Sequence, residues 1–133
     1  MIPLKIHESA ENYLETILVL KQRNGNVRAI DIANELEFSK PSVSVAMKNL
    51  RANGYIQVDD SGSIHLLPDG EEIARRVYEK HTLLTRYLVM LGVPEEIAAE
   101  DACRIEHVLS TESFEALKAH ASRYAKTIAG EEP

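Results

Sequence analysis

The residues best suited to chemistry lie in Asp101-Ala102-Cys103-Arg104-Ile105-Glu106-His107. Cys103, Glu106 and His107 stand at i, i+3 and i+4, so on a helix all three project from one side. A thiolate, a carboxylate and an imidazole converging on one point suit a borderline divalent cation. Cys103 is the chain's one cysteine, so it has no internal disulfide partner, which points to a reducing compartment or to chemistry at the thiol itself. Two other stretches offer ligands. Asn12 and Glu15 are i and i+3 on a first helix, and His81 interrupts an otherwise apolar helical stripe. Each alone has an ordinary role: a small buried thiol, a hydrogen-bonded core imidazole, a surface carboxylate, a helix-ending amide. Together they favour a shared cation, because buried carboxylates and imidazoles need partners and one ion serves several.

The elements that must position these groups follow from pattern. The apolar spacing of Tyr13, Leu14, Ile17, Leu18 and Leu20 predicts a helix over 9–23 with Ser9 as N-cap, stopped at Asn24-Gly25-Asn26. A short helix over 29–36 and a second one capped by Ser39, with Pro41 in its first turn, are joined by Glu37-Phe38-Ser39. The second ends at Asn53-Gly54. Residues 55–58 and 63–67 read as strands around an Asp59-Asp60-Ser61-Gly62 turn. Asp69 and Glu72 have capping-box spacing at the start of a long helix, whose stripe of Ile73, Val77, His81, Leu84, Leu88 and Leu91 ends at Gly92. A helix over 94–109 follows. A last one is capped at Ser110-Thr111 and carries Phe114, Leu117, Ala121, Tyr124 and Ile128 on one face, and the tail Gly130-Glu131-Glu132-Pro133 is expected to fray.

The expected fold is mainly α with a small β-hairpin wing. A winged helix-turn-helix domain over 1–70 precedes a helical metal-binding and dimerisation domain over 71–133. In such a reader the second helix of the pair enters the major groove N-terminus first. Here it opens Ser39-Lys40-Pro41-Ser42-Val43-Ser44-Val45. Lys40 can neutralise a phosphate; Ser39, Ser42 and Ser44 can donate to phosphates or base edges; Pro41 and Val45 can touch thymine methyls. Arg28, Lys48 and Arg51 are assigned to the DNA backbone. Val43, Met47 and Leu50, at i, i+4 and i+7, belong to the core. The wing, acidic at Asp59-Asp60, is expected to reach DNA through Ser61, Ser63 or main-chain N–H groups.

The net charge of −6 argues against a generic polyanion binder. Its distribution is uneven: residues 25–58 hold four basic groups against three acidic, and residues 93–133 hold four against nine. That asymmetry fits DNA at one end and a cation at the other. Hydrophobic content of 44% allows a packed core. No secretory leader and no membrane-length apolar run is visible, so a cytoplasmic location is expected. The absence of a glycine-rich loop or substrate cleft speaks against an enzyme with a small organic substrate.

The chain resembles the family of the diphtheria toxin repressor, the iron-dependent regulators and the manganese transport regulator. Ala10-Glu11-Asn12-Tyr13-Leu14-Glu15 is similar to the family's opening, His81 sits at its long-helix ligand position, and Cys103-Arg104-Ile105-Glu106-His107 resembles its C-x-x-E-H signature. The resemblance implies a homodimer that binds double-stranded operator DNA when loaded with Fe(II) or Mn(II) and represses metal-uptake genes. It implies a first metal on Asn12, Cys103, Glu106 and His107, and a second on Glu15 and His81 that shares Glu106 or Cys103. Family members carry Met or Asp where this chain has Asn12. Cys103 is as in the iron regulators and Glu15 as in the manganese regulators. Thr85 and Ala99 stand where the iron regulators' ancillary site needs an acid and a histidine. The chain is similar to the short two-domain manganese type with an iron-type thiolate. Thiolate ligation favours Fe(II), Co(II) or Zn(II) over Mn(II), while Glu15 and Glu106 add hard oxygen; Fe(II) is expected, with Mn(II) next and Zn(II) or Co(II) as in vitro substitutes. The alternative is a winged-helix regulator whose metal is structural and whose signal is different. Val89, Met90, Ile97 and Val108 are candidate dimer contacts.

Overall fold

The computed structural model describes residues 4–128, with side chains described over 9–123. It is mostly helical, with one two-stranded antiparallel hairpin. Two compact units divide at Tyr78 and Glu79. The side chains of Tyr124 and Ile128, and the 130–133 tail, lie outside what is described.

The N-terminal unit holds α1 (Leu4–Asn24), α2 (Ala29–Leu36), α3 (Lys40–Ala52), β1 (Ile56–Val58), β2 (Ile64–Leu66) and the start of α4 (Pro68–Met90). α1 begins five residues before Ser9, so Ser9 lies inside the helix and is not its cap. The physical reason is that Leu4–Glu8 contains no glycine or proline to keep the helix from starting ahead of Ser9. The α1 stripe of Leu14, Ile17, Leu18 and Leu20 is buried with Val27, Ile32, Val43, Met47 and Leu50. Fully burying each such aliphatic side chain contributes about 1.5–3 kcal/mol. α2 and α3 are joined through Glu37 in the left-handed region at φ 57°, with the Phe38 N–H donating to the Ala33 carbonyl at 3.1 Å. That conformation turns the chain in three residues, at a cost of about 1–2 kcal/mol for a non-glycine residue.

The hairpin pairs Ile56 with Leu66, Gln57 with His65 and Val58 with Ile64. Ile56 and Ile64 face the core. The Ile64 N–H donates to the Val27 carbonyl at 2.8 Å and anchors the turn end of β2. α4 starts at Pro68, so Asp69 lies within its first turn and is not the N-cap of a capping box. Proline ahead of Asp69 suits the first helical position, where no N–H is needed. Gly70 is buried against Tyr55. A Cβ there would run into the Tyr55 carbonyl oxygen, which already accepts from the Leu67 N–H at 2.9 Å. Both partners are backbone and cannot swing away. Gly70→Ala is expected to destabilise the N-terminal unit by about 2–3 kcal/mol, read as a lowered midpoint in chemical denaturation.

The C-terminal unit holds the rest of α4, α5 (Glu95–Ile105) and α6 (Thr111–Ile128). Leu84, Ala98, Ala102 and Phe114 are buried, whereas Leu91 is 65% exposed and does not continue the α4 stripe. The helix ends at Met90, one residue before it, so Leu91 leaves the helical phase. α5 is shorter than the expected 94–109. The chain tightens after Ile105, whose carbonyl accepts from both the Val108 and Leu109 N–H groups at 3.0 Å. Ser110 caps α6 by accepting from the Ser113 N–H at 3.1 Å. Lys118 bridges α6 to Glu79 on α4 at 2.7 Å, and the carboxylate holds the ammonium pKa above its usual value.

Candidate functional site

Glu106 is the C-cap of α5, and its backbone stays helical at φ −59° and ψ −27°. Helical phase therefore persists beyond the last α5 residue, and Cys103, Glu106 and His107 remain on one side although only Cys103 lies in α5 itself. Their ligand atoms all lie within 4.8 Å of one another. Cys103 is exposed, His107 is partly buried and the Glu106 side chain is fully buried. Glu106 Oε2 lies 3.0 Å from Nδ1 of His81, the imidazole on α4. Glu106 Oε1 faces His107 Nε2 at 3.4 Å but accepts no hydrogen bond.

That last oxygen decides what the cluster can do. A buried acceptor without a donor costs about 1–3 kcal/mol, more when ionised. If Glu106 were a structural residue, the fold would be expected to satisfy it. A divalent cation between Oε1, the Cys103 sulfur and the His107 ring would satisfy all three, so the donor set fits a metal of the Fe(II)–Zn(II) range. Cys103 and His107 bind such ions as thiolate and neutral imidazole. Asn12 and Glu15 lie three residues apart on α1, in the N-terminal unit, with Glu15 buried and Asn12 partly so.

A second feature is the outer face of α3. Arg28, Ser39, Lys40, Pro41, Ser42, Ser44, Val45, Lys48 and Arg51 are all exposed, while Val43, Met47 and Leu50 are buried. Val45 is 60% exposed, an apolar side chain aimed at solvent. Elsewhere Arg23, Arg75, Arg76, Arg104 and Lys118 pair with carboxylates. Among the described residues, Arg28, Lys40, Lys48 and Arg51 make no ion pair, as is also true of Arg86 on α4, and their charged ends face solvent. A groove of about 390 Å³ runs between α3 and the hairpin, lined by Ser44, Val45, Lys48, Arg51 and Gly62. Ser39 is committed to its cap: its Oγ accepts from the Ser42 N–H at 3.3 Å and donates to Ser42 Oγ at 2.8 Å. Ser42 keeps its own hydroxyl hydrogen for an external acceptor.

The wing corrects an expectation. Asp59 turns back into its own turn: Oδ1 accepts from the Ser61 and Ser63 N–H groups at 3.0 Å and from the Ser61 hydroxyl at 2.7 Å. The Gly62 N–H donates to the Asp59 carbonyl at 3.0 Å. The main-chain donors at 61, 62 and 63 are thus used internally: a carboxylate at the first position of a tight turn outcompetes water for those at 61 and 63, and the Asp59 carbonyl takes the one at 62. The pattern Asp59-x-Ser61-x-Ser63 was the available sequence signal. The His65 contact and then these turn donors hold the Asp59 carboxyl far below its usual 3.8. Its folded value is depressed, so its contribution to wing order is present above pH 3.8 and fades as pH falls through the folded value. Amide exchange at Ser61 and Ser63 should therefore accelerate in strong acid in the wild type. In Asp59→Asn it should be faster already at neutral pH, with little further change.

Two family profiles match nearly end to end. Residues 5–63 match the iron dependent repressor N-terminal DNA binding domain, and residues 67–131 match the iron dependent repressor metal binding and dimerisation domain. The transcriptional regulator MntR of Salmonella typhimurium LT2 is 34% identical over 117 residues, which is 88% of this chain and 74% of that protein. The chain belongs to the iron-dependent repressor family. That family, with its manganese regulators, consists of metal-dependent transcriptional regulators and not enzymes. Its DNA-binding profile spans α2, α3 and the wing up to Ser63, and its metal-binding and dimerisation profile spans Cys103, Glu106 and His107. Among solved structures, the manganese regulator SloR matches with TM-score 0.76 at 27% identity over 85% of this chain, and T. acidophilum IdeR with 0.72 at 27% over 83%. The chain spans about half the length of these two, 53% and 52%. No helix among the described residues is long and apolar enough to cross a membrane.

Proposed function

We propose that this chain is a cytoplasmic repressor that binds operator DNA as a homodimer when loaded with Fe(II) or Mn(II), and that it controls metal-uptake genes. The observation that carries the reading is the buried, undonated Glu106 oxygen set among a thiol and two imidazoles. In this reading residues 1–70 read DNA, and residues 71–133 bind metal and dimerise. Asn12, Cys103, Glu106 and His107 hold one ion, and Glu15 and His81 hold a second. The thiolate favours Fe(II) over Mn(II), and the hard oxygens of Glu15 and Glu106 make Mn(II) the next choice. Bound metal supplies the positive charge that partners the Glu106 carboxylate.

The residues of this chain do the rest. Lys40, Lys48, Arg51 and Arg28 neutralise phosphates, while Ser42 and Ser44 donate to phosphates or base edges. Ser39 holds the end of α3 that carries them. Pro41 and Val45 meet thymine methyls. The exposed apolar side chains of Val89, Ile97 and Val108, with Met90, supply a dimer face; charged neighbours alone would not need them. Two recognition helices in a dimer must sit about 34–36 Å apart, or a multiple, to enter successive grooves. Tying Asn12 and Glu15 on α1 to ligands of the C-terminal half restricts that spacing, and affinity rises with the competent fraction. By linkage, operator DNA tightens metal binding by the same factor.

Titrating metal-stripped protein with Mn(II), or anaerobically with Fe(II), while following operator binding by fluorescence anisotropy tests this. Operator affinity should rise steeply with metal. An affinity that stays flat across the titration overturns the reading in favour of a structural metal and another signal.

A further inference from the structure

The wing is held by more than its turn. Asp59 Oδ1 is used by the turn, but Oδ2 faces His65 Nε2 at 3.1 Å, and the other ring nitrogen, Nδ1, lies 3.3 Å from the Lys21 ammonium in the last turn of α1. An ammonium only donates and a carboxylate only accepts. The one neutral tautomer that satisfies both carries its hydrogen on Nε2: Lys21 donates to Nδ1, and Nε2–H donates to Asp59. We infer that Lys21, His65 and Asp59 form a relay that fixes the wing tip to α1, making His65 a positioning residue for DNA binding.

The consequence follows from where the tip sits. Gly62 lies inside the turn that Asp59 organises, and it forms one wall of the groove whose other wall is Ser44, Lys48 and Arg51. The Ile64 N–H to Val27 bond holds β2 where it leaves the turn, but it reaches no atom of the turn itself. The relay enters the turn through the Asp59 carboxylate, which holds the Ser61 and Ser63 N–H groups, and so sets how far the tip stands from α3. All three side chains are at least partly exposed, so their bonds add little to global stability. Their effect is on the width of the groove. The assignment of that groove to DNA backbone rests on the proposed function; the relay itself does not.

Three measurements test it on the full chain. Nitrogen-15 NMR of the His65 ring near neutral pH should show the neutral Nε2–H tautomer. His65→Val, which suits a strand but removes both ring nitrogens, should speed amide exchange at Ser61 and Ser63. It should also weaken operator binding at saturating Mn(II) on the order of fivefold, with Mn(II) affinity unchanged. His65→Gln offers an acceptor and a donor in similar places and should restore both. If His65→Val does not fold, Lys21→Met breaks the same chain of bonds and is read the same way. A ring protonated at Nδ1, or a His65→Val protein with wild-type exchange and wild-type operator affinity, overturns the relay. Should the wild type show no metal-dependent operator binding, the functional reading fails, and the tautomer and exchange still decide the relay.

Discussion

Glu106→Gln should bind metal at least about 100-fold more weakly than wild type, yet its metal-free form should be no less stable. The loss follows from replacing a coordinating carboxylate with a neutral amide; even outer-shell partners of metal ligands are worth about 10–100-fold. The stability term has two opposing parts. Removing the charge from one member of a buried pair leaves its partner uncompensated, which is destabilising. Here the partner, His81, has a side chain about 30% exposed, whereas Glu106 is fully buried with one undonated oxygen. Desolvation of the carboxylate therefore outweighs the loss, and the amide can still accept from His81. Unfolding midpoints measured in chelator should be equal or higher for the variant, and Mn(II) should no longer raise them. Adding Cys103→Ala should deepen the metal defect with little further change in the metal-free protein, because Cys103 is exposed. A variant that lost stability without metal and kept its metal response would mean that Glu106 is a packing residue.

The second large effect concerns DNA. Lys40→Glu with Ser42→Glu should weaken operator binding by more than about 100-fold at moderate salt, since it removes one phosphate contact and sets two like charges against the backbone. The same change should not harm the fold. Both positions lie in the first turn of α3, where carboxylates complement the helix dipole, and Glu at 42 lies three residues after the Ser39 cap, as in a capping box. Dimerisation by analytical ultracentrifugation and metal affinity should match wild type. Retained operator affinity would remove α3 from the DNA interface.

Much of this architecture was legible because its signals are local. The α2 limits at 29 and 36, the Ser39 cap and the Val43, Met47 and Leu50 face each follow from a few adjacent residues. The metal trio was legible as a spacing: i, i+3, i+4 survives the end of α5 because Glu106 keeps helical dihedrals. What escaped the sequence depends on competition or on distant partners. Ser9 looks like a cap only if the residues before it are not helical, and nothing in Leu4–Glu8 decides that locally. Asp69 lost the cap position to a helix that starts at Pro68. Gly70 reads as a helix-start residue, and its requirement for no side chain comes from Tyr55, which no local pattern reveals. The undonated Glu106 oxygen is likewise invisible in a sequence, where Glu106 looks like a surface charge. The Asp59 carboxylate reads as a repulsive wing charge, because its contact with His65 lies across the hairpin and that of His65 with Lys21 lies 44 residues apart.

The most direct test is the absorbance spectrum of the Co(II)-loaded protein. Ligation by Cys103 predicts a thiolate-to-cobalt charge-transfer band that grows with added Co(II), saturates at a fixed stoichiometry and disappears in Cys103→Ser. Co(II) binding without that band, or a band that persists in Cys103→Ser, would contradict a cation held by Cys103, Glu106 and His107.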